Sequence, residues 1–254
     1  MVDAKGGRPD YGNWVSTRLL YIFGGIGIVI LGLSFLFAIA FIGAGLFLLV
    51  FAYFAYARYR FSPRGGDIQA KIRELVLANL DWDGEGQVID IGCGNAPLAI
   101  LLAQKYPNAQ VTGIDYWGGQ WEYSKEVCEQ NAASEGVADR VTFQKASASK
   151  LPFDDATFGA AVSNLVFHEV KDASDKRDVI KEALRVVKPG GKYAFQDLFG
   201  FKQVYGDIGA LLETIRSWGI DSVEYIDTHN STFIPRALRL PFMIGTIGIL
   251  YGTK

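Results

Sequence analysis

Val88-Ile89-Asp90-Ile91-Gly92-Cys93-Gly94-Asn95-Ala96 decides the fold of this 254-residue chain. A short apolar run, read as a buried strand, passes straight into a glycine turn, and Pro97 opens a helix behind it. Glycine lets the backbone approach a ligand closely, and the start of the helix offers free N–H groups. Outward from this unit, strand and helix patterns alternate. Residues 87–91 read as a strand, 97–106 as a helix, 110–115 as a strand and 121–135 as a helix. Residues 140–144 and 158–164 read as strands, 174–186 as a helix and 192–198 as a strand. A helix at about 203–217 and strands at 222–228 and 246–252 follow. Such alternation implies an α/β fold, Rossmann-like, with a mostly parallel sheet covered by helices on both faces. Ahead of it, Ile68, Ile72, Leu75, Val76 and Leu80 fall at helical spacing.

The N-terminal part is different in kind. Residues 19–57 contain no charged side chain, and they account for a mean hydropathy of +0.15 in a chain that is half hydrophobic. As one helix, 39 residues would reach about 58 Å, against a bilayer core of ~30 Å. Two spans, at about 16–37 and 40–59, therefore fit better than one. Gly43 and Gly45 lie near a possible turn, and Gly24, Gly25 and Gly27 would allow close helix packing. Lys5, Arg8 and Arg18 precede the stretch and Arg58, Arg60 and Arg64 follow it. Cations at both ends suit a multi-pass hairpin in the cell membrane, with both termini and the folded domain in the cytoplasm. Trp14, Tyr21, Tyr53, Tyr56 and Tyr59 would serve as interfacial anchors. The expected organisation is a transmembrane hairpin within 1–60, a linker at 61–66 carrying Ser-Pro-Arg-Gly-Gly, and a domain from 67 to 254.

Charge and cysteine content narrow the function. Twenty-five Lys and Arg against 27 Asp and Glu leave no excess positive charge, which argues against a nucleic-acid partner. Two cysteines, Cys93 and Cys128, make neither a disulfide scaffold nor a metal cluster, so no metal is expected.

The glycine turn has Pro97 where a dinucleotide site would carry the last glycine of G-x-G-x-x-G. Asp90 just before the turn would repel a pyrophosphate, yet it suits a ligand bearing an ammonium and a sulfonium. S-adenosylmethionine bears both. Asp115, at the end of the next strand, is placed to accept from ribose hydroxyls. Taken singly, Asp115 reads equally as a helix cap and Gly94 as a plain tight turn.

With Asp90-Ile91-Gly92-Cys93-Gly94, Asp115, Leu151-Pro152-Phe153-Asp154 and Leu184-Arg185-Val186-Val187-Lys188-Pro189-Gly190-Gly191 in this order, residues 85–200 resemble the class I S-adenosylmethionine-dependent methyltransferases, and among them the branch of quinone and sterol methyltransferases. The resemblance implies a seven-stranded sheet with an antiparallel last strand, at 248–253. It also implies that Asp90, Gly92 and Gly94, within a turn completed by Cys93 and Asn95, hold the methionine part of the cofactor, and that Asp115 holds the ribose. Members often carry an acidic residue at the adenine amino group; here Ser147 stands there, beside Ala148. Ala96 replaces a usual third glycine, which reads as a small change in helix packing. Asn164 and Leu165 would line the site near the transferred methyl.

For the acceptor, His168 in Val166-Phe167-His168-Glu169-Val170 is the candidate general base; the competing reading is a loop histidine capping the next helix. His229 has the weaker case. Tyr116-Trp117-Gly118-Gly119-Gln120-Trp121 places aromatic rings after Asp115. Tyr116 and Trp117 would contact the cofactor or the pocket, while Trp121 reads as core. The apolar segment 233–244, with Arg236 and Arg239, reads either as a buried connection or as a stretch dipping into a lipid interface.

The expected function is methyl transfer to a small lipophilic acceptor, a quinone, isoprenoid or lipid. The alternatives are a methyltransferase for a soluble thiol, amine or protein, and a non-catalytic cofactor-binding module. Asn164-Leu165-Val166-Phe167 lacks the Asn/Asp-Pro-Pro-aromatic pattern of base-modifying amino methyltransferases, and two cysteines are too few for arsenic methylation.

Overall fold

The structure is a computed structural model describing residues 8–118 and 123–254. It divides into two compact units, Gly12–Ile72 and Arg73–Lys254, the second joined by the residues up to Tyr11.

In the first unit, α1 (Thr17–Ser34) and α2 (Ala40–Phe61) form a hairpin, followed by a single 3-10 turn at Pro63–Gly65. Ser16 caps α1 by accepting from the Arg18 N–H at 3.1 Å. The chain reverses at 35–39, so Gly43 and Gly45 lie inside α2 rather than at the turn. A run of uniformly apolar residues carries no signal for where it reverses. Of the three α1 glycines expected to allow close packing, two face the partner helix. A Cβ on Gly24 would come within 3.0 Å of Phe51, and one on Gly27 within 2.9 Å of Leu48, whereas Gly25 faces open space. Phe23 fills the seam between Phe47 and Phe54, with ring centroids 6.1 and 5.6 Å away.

The second unit is a seven-stranded sheet. It is built from β1 (Gly86–Ile91), β2 (Ala109–Asp115), β3 (Val141–Lys145), β4 (Phe158–Asn164), β5 (Val187–Asp197), β6 (Ser222–Asp227) and β7 (Gly248–Thr253). The order is β3-β2-β1-β4-β5-β7-β6, and β7 runs antiparallel to both neighbours. Helices α4 (Pro97–Lys105) and α5 (Lys125–Ser134) follow β1 and β2, and α3 (Ile68–Ala78) precedes them. α6 (Lys176–Arg185), α7 (Lys202–Tyr205) and α8 (Ile208–Arg216) flank β5. Strand periodicity sorts the core into two layers. Val88, Val162 and Ala194 pack with α3–α5, whereas Ile89, Ile91, Ala161, Tyr193 and Phe195 pack with α6–α8. Both layers are closed, which is why the strands read as continuous apolar runs.

The helix expected over 203–217 is two helices, because Gly206 takes φ 76° and Asp207 then caps α8 by accepting from the Gly209 N–H. β5 begins at Val187 rather than 192, with its register to β4 shifting between Phe158 and Ala160.

Candidate active site

The carboxyl ends of β1, β2, β4 and β5 meet on one edge of the sheet, the edge where open α/β sheets hold ligands. Here Gly92 takes φ 76° and Gly94 φ 58°. A Cβ on Gly92 would fall 2.2 Å from Val166, so the turn after β4 lies directly against the turn after β1. Ala96 continues the same turn at φ 67°, a left-handed conformation that an L-residue tolerates poorly. Its departure from glycine is thus a matter of backbone strain and not of helix packing. Trp117 (φ 40°) and Leu165 (φ 58°) are strained in the same way. Three of the five left-handed non-glycine residues in the described chain therefore stand on this edge, as strain held at functional sites does.

Asp115 ties β2 to the turn. Its Oδ2 accepts from the Gly94 N–H at 2.9 Å, and its Oδ1 accepts from the Trp117 N–H at 2.8 Å. A carboxylate has about four acceptor sites, so both oxygens can still receive a hydroxyl each. Burial holds the Asp115 carboxyl above its ordinary value, against the opposing N–H groups of Trp117, Gly94 and Tyr116. The Trp117 indole N–H donates to the Gly94 carbonyl at 2.9 Å, so this side chain clamps the turn. Tyr116 is 65% exposed, with the Lys145 ammonium 5.2 Å from its ring centroid. Trp121 lies outside the described residues.

Asp90 is fully buried, and burial pushes its carboxyl up to about 7. Asp115 adds to that shift, while the Ala99 N–H and Arg73 oppose it. Among the described residues its Oδ2 has no hydrogen-bond partner, and neither does the buried Asn164 Oδ1 at the end of the adjacent strand. A ligand carrying an ammonium group would satisfy such oxygens. The turn's other two side chains are structural. Asn95 donates to the Asp10 carbonyl at 3.1 Å and accepts from the Ser124 N–H at 3.2 Å, and Cys93 is buried. Only the backbones of these two residues are open to a ligand. Asn131 completes the set by donating to the Asp10 and Asn95 carbonyls, both at 2.9 Å.

Ser147 donates to Asp172 Oδ2 at 2.8 Å, and Ser149 donates to the same oxygen at 2.6 Å. The position where the resemblance wants an acid thus has a carboxylate beside it, delivered from 25 residues downstream. Ala148, between the two serines, is buried in the core.

His168 sits in a 3-10 turn at Phe167–Glu169, two residues from Val166. Its Nδ1 donates to Asp197 Oδ1 at 2.5 Å, and its backbone N–H donates to Asp197 Oδ2 at 3.3 Å. The carboxylate fixes the tautomer, leaving Nε2 as the free basic nitrogen, with Glu169 Oε1 3.8 Å from it. Burial alone would push the imidazole down, but the Asp197 charge and hydrogen bond, with help from Glu169, hold it above its usual value. Asp197 was not legible as a site residue, although it shows the feature that marks Asp115, a carboxylate at the end of a buried strand. His229 stands apart, bonded to Asp227 in the loop after β6.

Comparison with known proteins identifies the family. The profile of the family described as "Methyltransferase domain" matches residues 89–195. A ubiquinone/menaquinone biosynthesis C-methyltransferase of Desulfotalea psychrophila is 32% identical over 206 residues, covering 72% of this chain and 79% of that protein. A demethylmenaquinone methyltransferase of Bacillus cytotoxicus is 30% identical, over 52% of this chain and 55% of that protein. This chain spans about half the length of several such relatives. Among solved structures, a geranyl diphosphate methyltransferase in complex with S-adenosylmethionine superposes with TM-score 0.53 at 18% identity, covering 78% of this chain and 89% of that one. The cyclase SpnF superposes with TM-score 0.54 at 21% identity, over 73% and 81%; likeness at these identities speaks for the fold alone. The chain belongs to the class I S-adenosylmethionine-dependent methyltransferases: it is an enzyme, and S-adenosylmethionine is its cofactor.

Proposed function

We propose that this enzyme is anchored in the cell membrane by the α1–α2 hairpin, catalytic domain and both termini cytoplasmic, and methylates a small lipophilic acceptor of the quinone, isoprenoid or lipid class. The observation that carries this reading is the exposure of the hairpin. Only 17% of the most apolar part of α1 and 11% of that of α2 is buried, where a core helix of a soluble domain would be mostly covered. The 18 and 22 residues of α1 and α2 amount to about 27 and 33 Å, close to a bilayer core of ~30 Å. Phe35, Leu36, Phe37, Ile39 and Ile42 around the turn are all exposed, a surface that water would not tolerate. The quinones in the relatives' names belong to the same class of acceptor.

In this reading Asp90 receives the cofactor's ammonium, the backbone of 92–95 lines its methionine part, and Asp115 receives the ribose hydroxyls. Tyr116 and the Ser147–Asp172 pair stand at the adenine, and Asn164 and Leu165 beside the reacting centre. The cofactor supplies an electrophilic methyl group. His168 Nε2 takes the acceptor's proton, and Asp197 stabilises the imidazolium that results. Transfer of labelled methyl into native membrane extract, followed by phase partition, tests the reading. Label should enter the organic phase and be lost in Asp115→Ala; label confined to the aqueous or protein fraction would sink the lipophilic acceptor.

A further inference from the structure

We propose that the loop joining β6 to β7, residues 228–247, is a membrane-contacting lip whose tip at Leu240–Met243 inserts into the lipid interface beside the active site. The proposal rests on the membrane reading above and deepens it.

The loop's position follows from strand register. Gly248 pairs with both Asp197 and Asp227, so the loop leaves and re-enters the sheet at the edge that carries Asp197 and His168. Its base is pinned there. Gln196 Nε2 donates to Thr228 Oγ1 at 3.0 Å inside the core, and the Gly200 N–H donates to the Thr246 carbonyl at 2.9 Å. The loop is also internally built. Ile234, Leu238 and Ile244 are buried, and the Arg239 guanidinium donates to the Ile234 and Ser231 carbonyls and to Asn230 Oδ1. Arg239 therefore shapes the loop, which leaves Arg236 as the arginine able to reach a lipid head group.

A loop able to bury four aliphatic side chains, Ile247 being the fourth, nevertheless turns others outward. Leu240 is 37% and Phe242 66% exposed, with Pro241 exposed between them. Within Arg73–Lys254, the large hydrophobic side chains exposed among the described residues are Tyr116, Ile226, Leu240 and Phe242, and two of these four share this tip. Charge selects the occupant. From Thr228 to the end of the chain there is no acidic residue, and Arg236 is exposed near the tip. An apolar wedge beside an exposed arginine, in a loop with no acidic side chain, is the chemistry of an anionic lipid surface. Tethering to a bilayer raises the effective concentration of lipid at such a wedge, so a shallow insertion suffices.

The test uses the full chain carrying Phe242→Cys, labelled with an environment-sensitive fluorophore and reconstituted into phosphatidylcholine/phosphatidylglycerol vesicles. Cys93 and Cys128 are buried, and the wild-type chain controls for their labelling. A label at Asp139→Cys, ahead of β3 on the opposite edge, provides the water reference. S-adenosylmethionine affinity equal to wild type shows that the labelled protein is folded. The expected result is blue-shifted emission at the Phe242 site, quenched by lipids with a shallow nitroxide, and weaker quenching when Arg236→Gln is added. Emission at that site matching the Asp139 reference, in protein that resists carbonate extraction, overturns the lip and leaves the anchor standing. Protein released by carbonate overturns both.

Discussion

His168 Nδ1 lies 2.5 Å from Asp197 Oδ1, joining the turn after β4 to the end of β5. Asp197 is wholly buried, so its charge acts at short range with little screening. In its proposed role as base, His168 must be neutral before it takes a proton. Because Asp197 holds its pKa above the usual value, the methylation rate should rise with pH through a midpoint above about 6.5. His168→Ala should lower kcat by about 10²-fold or more while leaving S-adenosylmethionine affinity intact. Asp197→Asn should lower kcat and move the midpoint down; a pH–rate profile unchanged in both variants would remove His168 from the chemistry.

Asp90, the proposed partner of the cofactor's ammonium, would link cofactor binding to pH. Its carboxyl titrates near 7 in the fold against 3.8 in the unfolded chain, so the folded protein holds a proton that the unfolded chain has already released. Asp90 therefore favours folding at low pH, and that contribution is lost as pH rises from about 4 to about 7. Asp90→Asn should flatten this decline in thermal stability. An ammonium ligand prefers the ionised carboxylate, so S-adenosylmethionine should bind more tightly as pH passes through about 7, and Asp90→Asn should abolish that dependence. Calorimetric titration across pH 6–8 reads both.

Trp117→Phe keeps a ring but removes the indole N–H that holds the Gly94 carbonyl. A net hydrogen bond is worth about 1 kcal/mol, which predicts a rise of about fivefold in the dissociation constant for S-adenosylmethionine. An unchanged constant would mean that Cys128, which also donates to this carbonyl at 3.0 Å, holds the turn by itself.

The hairpin predicts an asymmetry between neighbouring glycines. Gly27→Leu forces a side chain into Leu48 and should destabilise the α1–α2 pairing by about 1–3 kcal/mol, whereas Gly25→Leu points into open space and should be close to neutral. Thermal unfolding in detergent compares them; equal effects would argue against this packing.

Much of the fold was legible because it rests on local chemistry. The passage from Ile91 through Gly92 to Pro97 specifies strand, turn and helix within ten residues, and a carboxylate at the end of the next strand identifies Asp115. Seven strands with a reversed last one followed from a resemblance carried by four motifs. Less of the site could be read. The chain reverses at 35–39, between the spans expected at about 16–37 and 40–59, but Gly43 and Gly45, expected near the turn, lie inside α2, because every residue from 19 to 57 is compatible with a helix. In the sequence Ala96 reads as a packing change, because a φ angle leaves no mark on composition.

What the sequence by itself determined, then, was the set of elements and the half of the candidate site proposed for the cofactor, where each group lies within a few residues of a turn. Tertiary structure decided the other half. His168 and Asp197 are 29 residues apart, and Ser147 and Asp172 are 25 apart. The His168–Asp197 pair exists because β5 was laid beside β4 rather than at the sheet's edge. Strand order is set by the burial of whole faces against helices, a property of the folded core, and no single segment carries it.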